Sequence, residues 1–159
     1  MSENTQETPV TGAGTGAGTG TGTNTTPTST SVLNLAVEAV MDMIDALSPF
    51  ATIRRGALAI GNSLSCEISP SIPQEVYLSK DVYIPLTLAL NGKHDNLQTL
   101  SDTLNNIMDN LTRKTSYTSG TGWQIVDISN GNLPRVIGRE DNGSWLMACD
   151  LIVKIYRKE

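Results

Sequence analysis

Two segments of the chain carry apolar residues at helical spacing. Between Val32 and Leu47 the apolar side chains recur at alternating steps of four and three residues, which predicts an amphipathic helix. Ser31 is its candidate N-cap, and Ser48–Pro49 ends it because the residue before proline disfavours the α region. A second helix is predicted with Asp95 as N-cap and Gln98 as its capping-box partner. Its apolar stripe consists of Leu97, Leu100, Leu104, Ile107, Met108 and Leu111.

Other segments alternate between apolar and polar residues, the period of a half-buried strand. Ile53–Ile60 and Leu64–Ile68 are predicted to pair as a hairpin. Val82–Leu90 is the strongest strand, and Asn91–Gly92 is predicted to end it with a turn. Pro85 cannot donate a backbone hydrogen bond, which favours an edge or a bulge at this position.

The chain after the second helix is predicted to be β. Trp123–Ile128 alternates, Ser129–Asn132 is a predicted turn and Leu133–Gly138 a short strand. A second turn at Asp141–Gly143 leads into a long final strand, Trp145–Tyr156. The order of elements predicts an α+β fold, a two-layer sandwich in which two helices pack on one face of a mostly antiparallel β-sheet.

Composition changes this picture at the N-terminus. Residues 1–31 include the run TGAGTGAGTGTGT and carry little apolar surface to offset the entropy of folding, so they are predicted to be a disordered Gly/Thr-rich tail. A tail that threads into a neighbouring subunit is the alternative. The segment has neither the basic start nor the apolar run of a secretory signal, and no apolar stretch of about 18 residues predicts a membrane span. Residues 32–159 are the predicted domain.

Charge and cysteine content exclude several function classes. A formal net charge of −5 and a pI near 4.8 argue against binding nucleic acid through phosphate neutralisation. Cys66 and Cys149 lie in strand-like apolar runs with no CxxC partner and no histidine at ligand spacing, so neither a zinc site nor a disulfide is expected. Both are predicted to be small buried apolar residues.

No constellation of residues predicts catalysis or a cofactor. His94 is the only histidine, so any Ser–His or Cys–His mechanism would depend on it, and it is predicted to be an exposed turn residue beside the capping Asp95. Glu38, Asp42 and Asp45 are spaced like a solvated helix face, which leaves a surface Ca²⁺ or Mg²⁺ open. No Gly-containing segment matches a phosphate-binding motif. We therefore expect no enzyme, with no catalytic, cofactor-binding or metal-ligating residues.

One segment carries a family resemblance. The run YIPLTLALNGKHDNLQTLSDTLNNIMDNL, within Val82–Leu111, resembles the central block of minor capsid and tail-terminator proteins of long-tailed (siphovirus-like) phages. There a strand of the form xxPLTLxxxGK precedes an amphipathic helix, and Asp150–Tyr156 looks like the closing strand of that family. The likeness extends over Val32–Glu159 and is most specific in the central block, whereas the N-terminal residues depart from it.

The resemblance implies a structural virion protein. Such a subunit would form a six-membered ring that caps the tail tube and joins it to the head-completion (connector) protein. It would be assembled in the host cytoplasm and retained in the virion, with itself, the tube protein and the connector as partners. The alternatives are another connector or head-decoration subunit and, in a different class, a small-ligand binder or enzyme.

Two irregular segments are candidate interfaces because they are too long for tight connections. One is Ser69–Lys80. The other comprises Thr115, Ser116, Tyr117, Thr118, Ser119, Gly120, Thr121 and Gly122.

Overall fold

The computed structural model of the chain describes residues 31–69, 75–76 and 81–158, so the predicted tail, apart from Ser31, lies outside the described residues. Two helices and seven strands occur in the described part. Their order along the chain is α1 (Val32–Asp45), β1 (Ile53–Arg55), β2 (Ser63–Ser69), β3 (Glu75–Val76), β4 (Val82–His94), α2 (Leu97–Thr112), β5 (Ser119–Gly120), β6 (Trp123–Arg139) and β7 (Trp145–Arg157).

The strands form one sheet in the order β1-β2-β4-β7-β6-β5, with β3 paired to β4 beyond the end of β2. Every pairing of described strands is antiparallel except that of β1 with β2. β7 lies at the centre and pairs along its whole length with β4. These observations confirm the α+β class and the mostly antiparallel sheet. Neither helix in the described part of the chain is long and apolar enough to cross a membrane.

The first predicted helix is confirmed in α1. Val37, Val40 and Ile44 of the predicted stripe are buried in the core. Ser31 occupies the N-cap position, but its side chain makes no capping hydrogen bond. The helix ends before Ser48, whose φ of 54° is incompatible with continuing it.

The predicted hairpin between the first two strands is wrong. β1 is only three residues long and runs parallel to β2, with Ile53 opposite Leu64. Gly56, at a φ of 96°, turns the chain away directly after β1, and its amide donates to the carbonyl of Cys66. A parallel pair normally needs a long crossover connection. The brevity of β1 lets residues 56–62 return the chain to the start of β2.

The predicted turn at Asn91–Gly92 is also wrong, because β4 continues to His94. Gly92 lies inside the strand, where its missing side chain leaves room for neighbouring side chains to pack. A Cβ added there would stand 2.5 Å from Leu100 of α2 and 3.2 Å from Leu64 of β2. The glycine therefore lets α2 approach the sheet closely, a use of glycine that sequence cannot distinguish from turn chemistry.

Pro85 lies in a strand that has neighbours on both sides. It is opposite Lys154 of β7, while on the other side the pairing with β2 ends at Thr87 and that with β3 begins at Tyr83. Within the described residues, Pro85 thus occupies a gap between two partner strands. A missing backbone donor is tolerated at such a position.

The N-cap of the second helix is Asn96, and the prediction of Asp95 is wrong by one residue. The Asn96 side-chain oxygen accepts a hydrogen bond from the amide of Thr99 at 3.0 Å. Asp95 pairs instead with Asn62, which it meets through both its backbone amide and its carboxylate. Gln98 donates to Asp102 and not to the cap.

The predicted turn at Ser129–Asn132 is absent, because β6 runs unbroken along β7 from Trp123 to Arg139. Four register shifts absorb the extra residues as bulges. Gly131 allows the close approach at one of them, since a Cβ there would lie 3.2 Å from the carbonyl oxygen of Asp150. The turn at Asp141–Gly143 is confirmed, with Gly143 donating to the carbonyl of Glu140.

The core combines both helices with alternate residues of the strands. The apolar side chains of β4 face those of β7 in register along one face of the sheet. These pairs are Leu86 with Val153, Leu88 with Leu151 and Leu90 with Cys149. From α2, the buried side chains are the predicted stripe Leu100, Leu104, Ile107, Met108 and Leu111.

Candidate interaction surface

The first half of β6 belongs to the hydrophobic core. Trp123, Ile125 and Ile128 are its buried residues, each at most 9% exposed, and the register shift after Ile125 accounts for the wider spacing before Ile128. They join the cluster that contains the buried face of α2, and α2 contacts this strand more than any other. The predicted strand over Trp123–Ile128 is therefore confirmed, and of its apolar side chains only Val126, which is 36% exposed, is left partly in solvent.

The second half of β6 is different. Leu133 is 69% exposed, Ile137 53% and Val136 48%. Three large apolar side chains within five residues are thus left in solvent by the described part of the chain. A single exposed apolar residue needs no explanation, but a contiguous group commonly marks a contact surface. We call Asn130–Arg139 the outer half of β6.

Side-chain contacts hold the tip of the β6–β7 hairpin beside this surface. The guanidinium of Arg139 stacks over the indole of Trp145, 4.8 Å from the ring centroid, and its Nε donates to the carbonyl of Gly143. Lys93 of β4, almost fully buried, contacts the carboxylate of Glu140 at 3.2 Å. The exposed apolar side chains therefore lie on an ordered strand and not on a free loop.

The backbone of β6 also leaves an open edge. β5 pairs only with Trp123 and Gln124, and the Ile125 amide donates to the carbonyl of Thr118. From Val126 to Arg139, no strand within the described residues pairs with the side of β6 opposite β7. An edge of this length is a template for another strand.

The predicted interface segment Thr115–Gly122 is exposed at every position except Tyr117. The Tyr117 side chain packs against the core, and its hydroxyl donates to the carbonyl of Leu111. Burial raises the pKa of Tyr117 above its ordinary value. Ser119–Gly120 forms β5, and a Cβ at Gly120 would collide with the indole of Trp123. The segment is thus an anchored surface feature at the start of β6, compatible with a contact role.

Most of the other predicted interface, Ser69–Lys80, lies outside the described residues. Of the part that is described, Ser69 ends β2 and Glu75–Val76 forms β3 against β4.

A shallow groove of about 380 Å³ separates α1 from the start of β6. Leu35, Ala39, Met43 and Trp123 give it an apolar floor. Glu38 and Asp42, two of the carboxylates singled out in the sequence, lie on its rim with Lys114. Among the described residues, no three His, Cys, Asp or Glu side chains come together as metal ligands. The third carboxylate, Asp45, accepts a hydrogen bond from the amide of Ile53 and so joins α1 to β1.

His94 is not an exposed turn residue. It ends β4, its side chain is 14% exposed, and Phe50 packs edge-on against its ring with the centroids 4.6 Å apart. Its Nδ1 accepts from the amide of Asn96 and lies 2.8 Å from the carboxylate of Asp95. Its surroundings are therefore those of a residue that joins a strand to the helix that follows.

Both cysteines are fully buried, as predicted, and unpaired. Burial raises the pKa of the Cys149 thiol to about 12 and that of Cys66 above its ordinary value. The thiolate is the reactive form of cysteine, so neither position favours nucleophilic chemistry.

Sequence reasoning missed the outer half of β6 as a surface. The run Asn130–Gly138 contains turn residues, a proline and adjacent apolar residues that follow no strand period. Its only signal was the presence of Leu133, Val136 and Ile137 without an alternating pattern. No protein-family model matches the sequence, and a search of the curated proteins finds no matching relative.

Proposed function

We propose that the chain is a structural virion subunit of the tail-terminator type, which forms a ring that caps the tail tube and joins it to the head connector. The observation that carries this proposal is the ordered, apolar and exposed outer half of β6. A domain that buries a complete core and still presents Leu133, Val136 and Ile137 to solvent is suited to assembly with other subunits.

The arrangement of the helices on the sheet also supports this proposal. We infer a two-layer sandwich in which both helices cover one face of the sheet. Its support is the single hydrophobic cluster that unites the buried stripes of α1 and α2 with one face of β4 and β7. The order of elements along the chain predicts this arrangement, and the family that Val82–Leu111 resembles is expected to have an α+β fold.

The two candidate surfaces lie at opposite ends of β6, which supports contacts with different partners. The segment Thr115–Gly122 adjoins Trp123 at the first residue of β6, whereas the outer half lies at the other end of the strand. A 17-residue strand spans about 50 Å when fully extended, and bulges shorten it only partly. Surfaces separated in this way fit a subunit that packs head-to-tail in a closed ring while one ring face meets the tube.

The mechanism we propose is templated assembly without a chemical step. The groups that a hydrolytic reaction would use are held in structural contacts: His94 by Phe50 and Asn96, and the two thiols by complete burial. A small-ligand binder would use an enclosed apolar pocket. The groove beside Trp123 is shallow and open, which favours a macromolecular contact over a small ligand.

The function is tested by electron microscopy of a lysate from the phage whose gene for this chain is deleted. We expect filled heads beside headless tails of abnormal and variable length, because nothing ends tube growth. Restoring the gene in trans would return tails of uniform length. Tails of normal length in the deletion lysate would contradict the terminator role, and the virion part that is then missing or unjoined would identify a connector or decoration subunit.

A further inference from the structure

The open edge of β6 requires a cover in the free subunit. Fourteen residues from Val126 to Arg139 present their outward backbone groups without a partner among the described strands. Bulged strands resist pairing with a regular strand, but a long edge with apolar neighbours remains prone to uncontrolled edge-to-edge joining. Edge pairing between copies has no built-in end point, so a cover on this edge keeps copies of the chain from joining without limit.

The N-terminal residues contain a segment with the pattern of an added strand. From Thr11 to Thr23, every even-numbered residue is glycine and every odd-numbered residue is threonine or alanine. Successive side chains of a strand point to opposite faces, so as a strand this segment would present glycine alone on one face. Its thirteen residues match the length of the open edge of β6.

The glycine at every second position of Thr11–Thr23 suits pairing with the bulged edge of β6. Strand addition gains its affinity from backbone hydrogen bonds, and side-chain pockets contribute only specificity. Four register shifts make β6 an irregular template, and a chain with little steric restriction can follow it where a bulky regular strand cannot. The segment has too little apolar surface to fold alone, so an existing edge would supply its partner groups.

The segment can reach the edge of its own domain. Seven residues separate Thr23 from Ser31, and they span about 23 Å when extended. Leu35, one turn into α1, lines the same groove as Trp123. The chain therefore enters α1 close to the start of β6, and Val126 is only three residues further along that strand. A tether this short holds the segment near the edge at about millimolar effective concentration.

We propose that Thr11–Thr23 pairs as an additional antiparallel strand with the Val126–Arg139 edge of its own chain. The antiparallel direction follows from the tether, which holds Thr23 near the start of β6 and Thr11 near its end. The added strand occupies the edge backbone and leaves Leu133, Val136 and Ile137 on the faces of the sheet. It thus blocks edge-to-edge joining while keeping the apolar side chains available, and nothing in it depends on ring formation.

Hydrogen exchange followed by mass spectrometry of the full chain tests this pairing. We compare it with a chain that lacks residues 2–23 and with the double variant Thr15→Pro/Gly18→Pro, in which one of the two prolines falls on a residue whose amide faces the edge. A chain that lacks residues 2–10 is the matched control, because it is also shortened but keeps the segment. Exchange in β4 and α2 reports that each chain is folded.

We expect exchange in peptides from Val126–Arg139 to be about tenfold faster in the first two variants and unchanged in the control. The difference should persist over about a hundredfold range of protein concentration, since the pairing is intramolecular. Equal exchange in all four chains would overturn the proposal. Protection that fades on dilution, or that returns when full chain is added to the shortened one, would also overturn it by assigning the strand to another copy.

Discussion

The two halves of β6 belong to one strand and pair with the same neighbour, but they meet different surroundings. The first half, Trp123–Ile128, buries Trp123, Ile125 and Ile128 in the core cluster that also contains both helices. The outer half, Asn130–Arg139, carries equally apolar residues that the described domain leaves exposed. Pairing with β7 therefore does not decide which part of β6 is buried, because both halves pair with it. The exposed apolar residues of the outer half are the basis of the proposed contact with other subunits.

The largest expected effect comes from a pair of identical substitutions in the two halves. Ile128→Ala should lower the free energy of unfolding by about 3 kcal/mol, because the side chain is 1% exposed and its loss leaves a cavity. Ile137→Ala should lower it by less than about 1 kcal/mol, since half of that side chain is already in water. Urea denaturation measures both. Equal losses would mean that the outer half is part of the folding core and would remove the contrast.

The next largest effect on stability is expected from replacing a glycine by alanine at two positions of the sheet. Gly92→Ala should cost about 2 kcal/mol, because the new Cβ would stand 2.5 Å from the fully buried Leu100 side chain, which would have to leave its packed position. Gly138→Ala, in the outer half, should change stability by less than about 0.5 kcal/mol, since the nearest atom is on Leu146 at 3.9 Å. Thermal unfolding of the two variants beside the parent chain distinguishes them. A harmless Gly92→Ala would show that the core around Leu100 adjusts to the extra methyl group without cost.

The smallest effect concerns the thiol of Cys149, which lies on β7 across from the outer half. The native state holds its proton up to about pH 12, whereas the unfolded thiol releases it near pH 9. Raising the pH between these values therefore favours the unfolded chain, by at most about 1.4 kcal/mol per pH unit. The contribution is fully present below pH 9 and is lost as the pH rises.

Unfolding free energies at pH 9.0 and 10.5 measure this loss, with Cys149→Ala as the control that lacks the thiol. The parent chain should lose more stability over this interval than the control. Identical pH dependence would mean that solvent reaches Cys149 through the outer half, so that this part of the strand opens readily.

Much of the fold follows from periodicity, and its errors share one cause. The stripes of α1 and α2 and the alternation of β4 and β7 predicted those elements because long apolar patterns reflect burial directly. Glycine was read as turn chemistry at Gly92 and Gly131, where the structure uses it for close approach between elements. Local sequence does not contain the position of the neighbouring element, so the two uses of glycine look alike.

The candidate surface was less predictable than the fold. The interface prediction for Thr115–Gly122 rests on its length and irregularity, and the segment is exposed apart from Tyr117. The sequence does not predict the outer half of β6 as a surface, because exposure depends on which residues the rest of the fold covers. His94 was expected in a turn and lies at a strand end against Phe50, which no spacing along the chain could reveal.

The most direct test of the assembly role uses the outer half of β6 in the phage lacking this gene. The gene is restored either unchanged or as Leu133→Asp/Ile137→Asp, with Glu67→Asp, at an exposed position of β2, as a control, and tail lengths are measured by electron microscopy. We expect uniform tails with the unchanged gene and the control. The double variant should fold with an unfolding temperature within about 5 °C of the parent and yet leave tails of variable length. Uniform tails with that folded double variant would contradict the account.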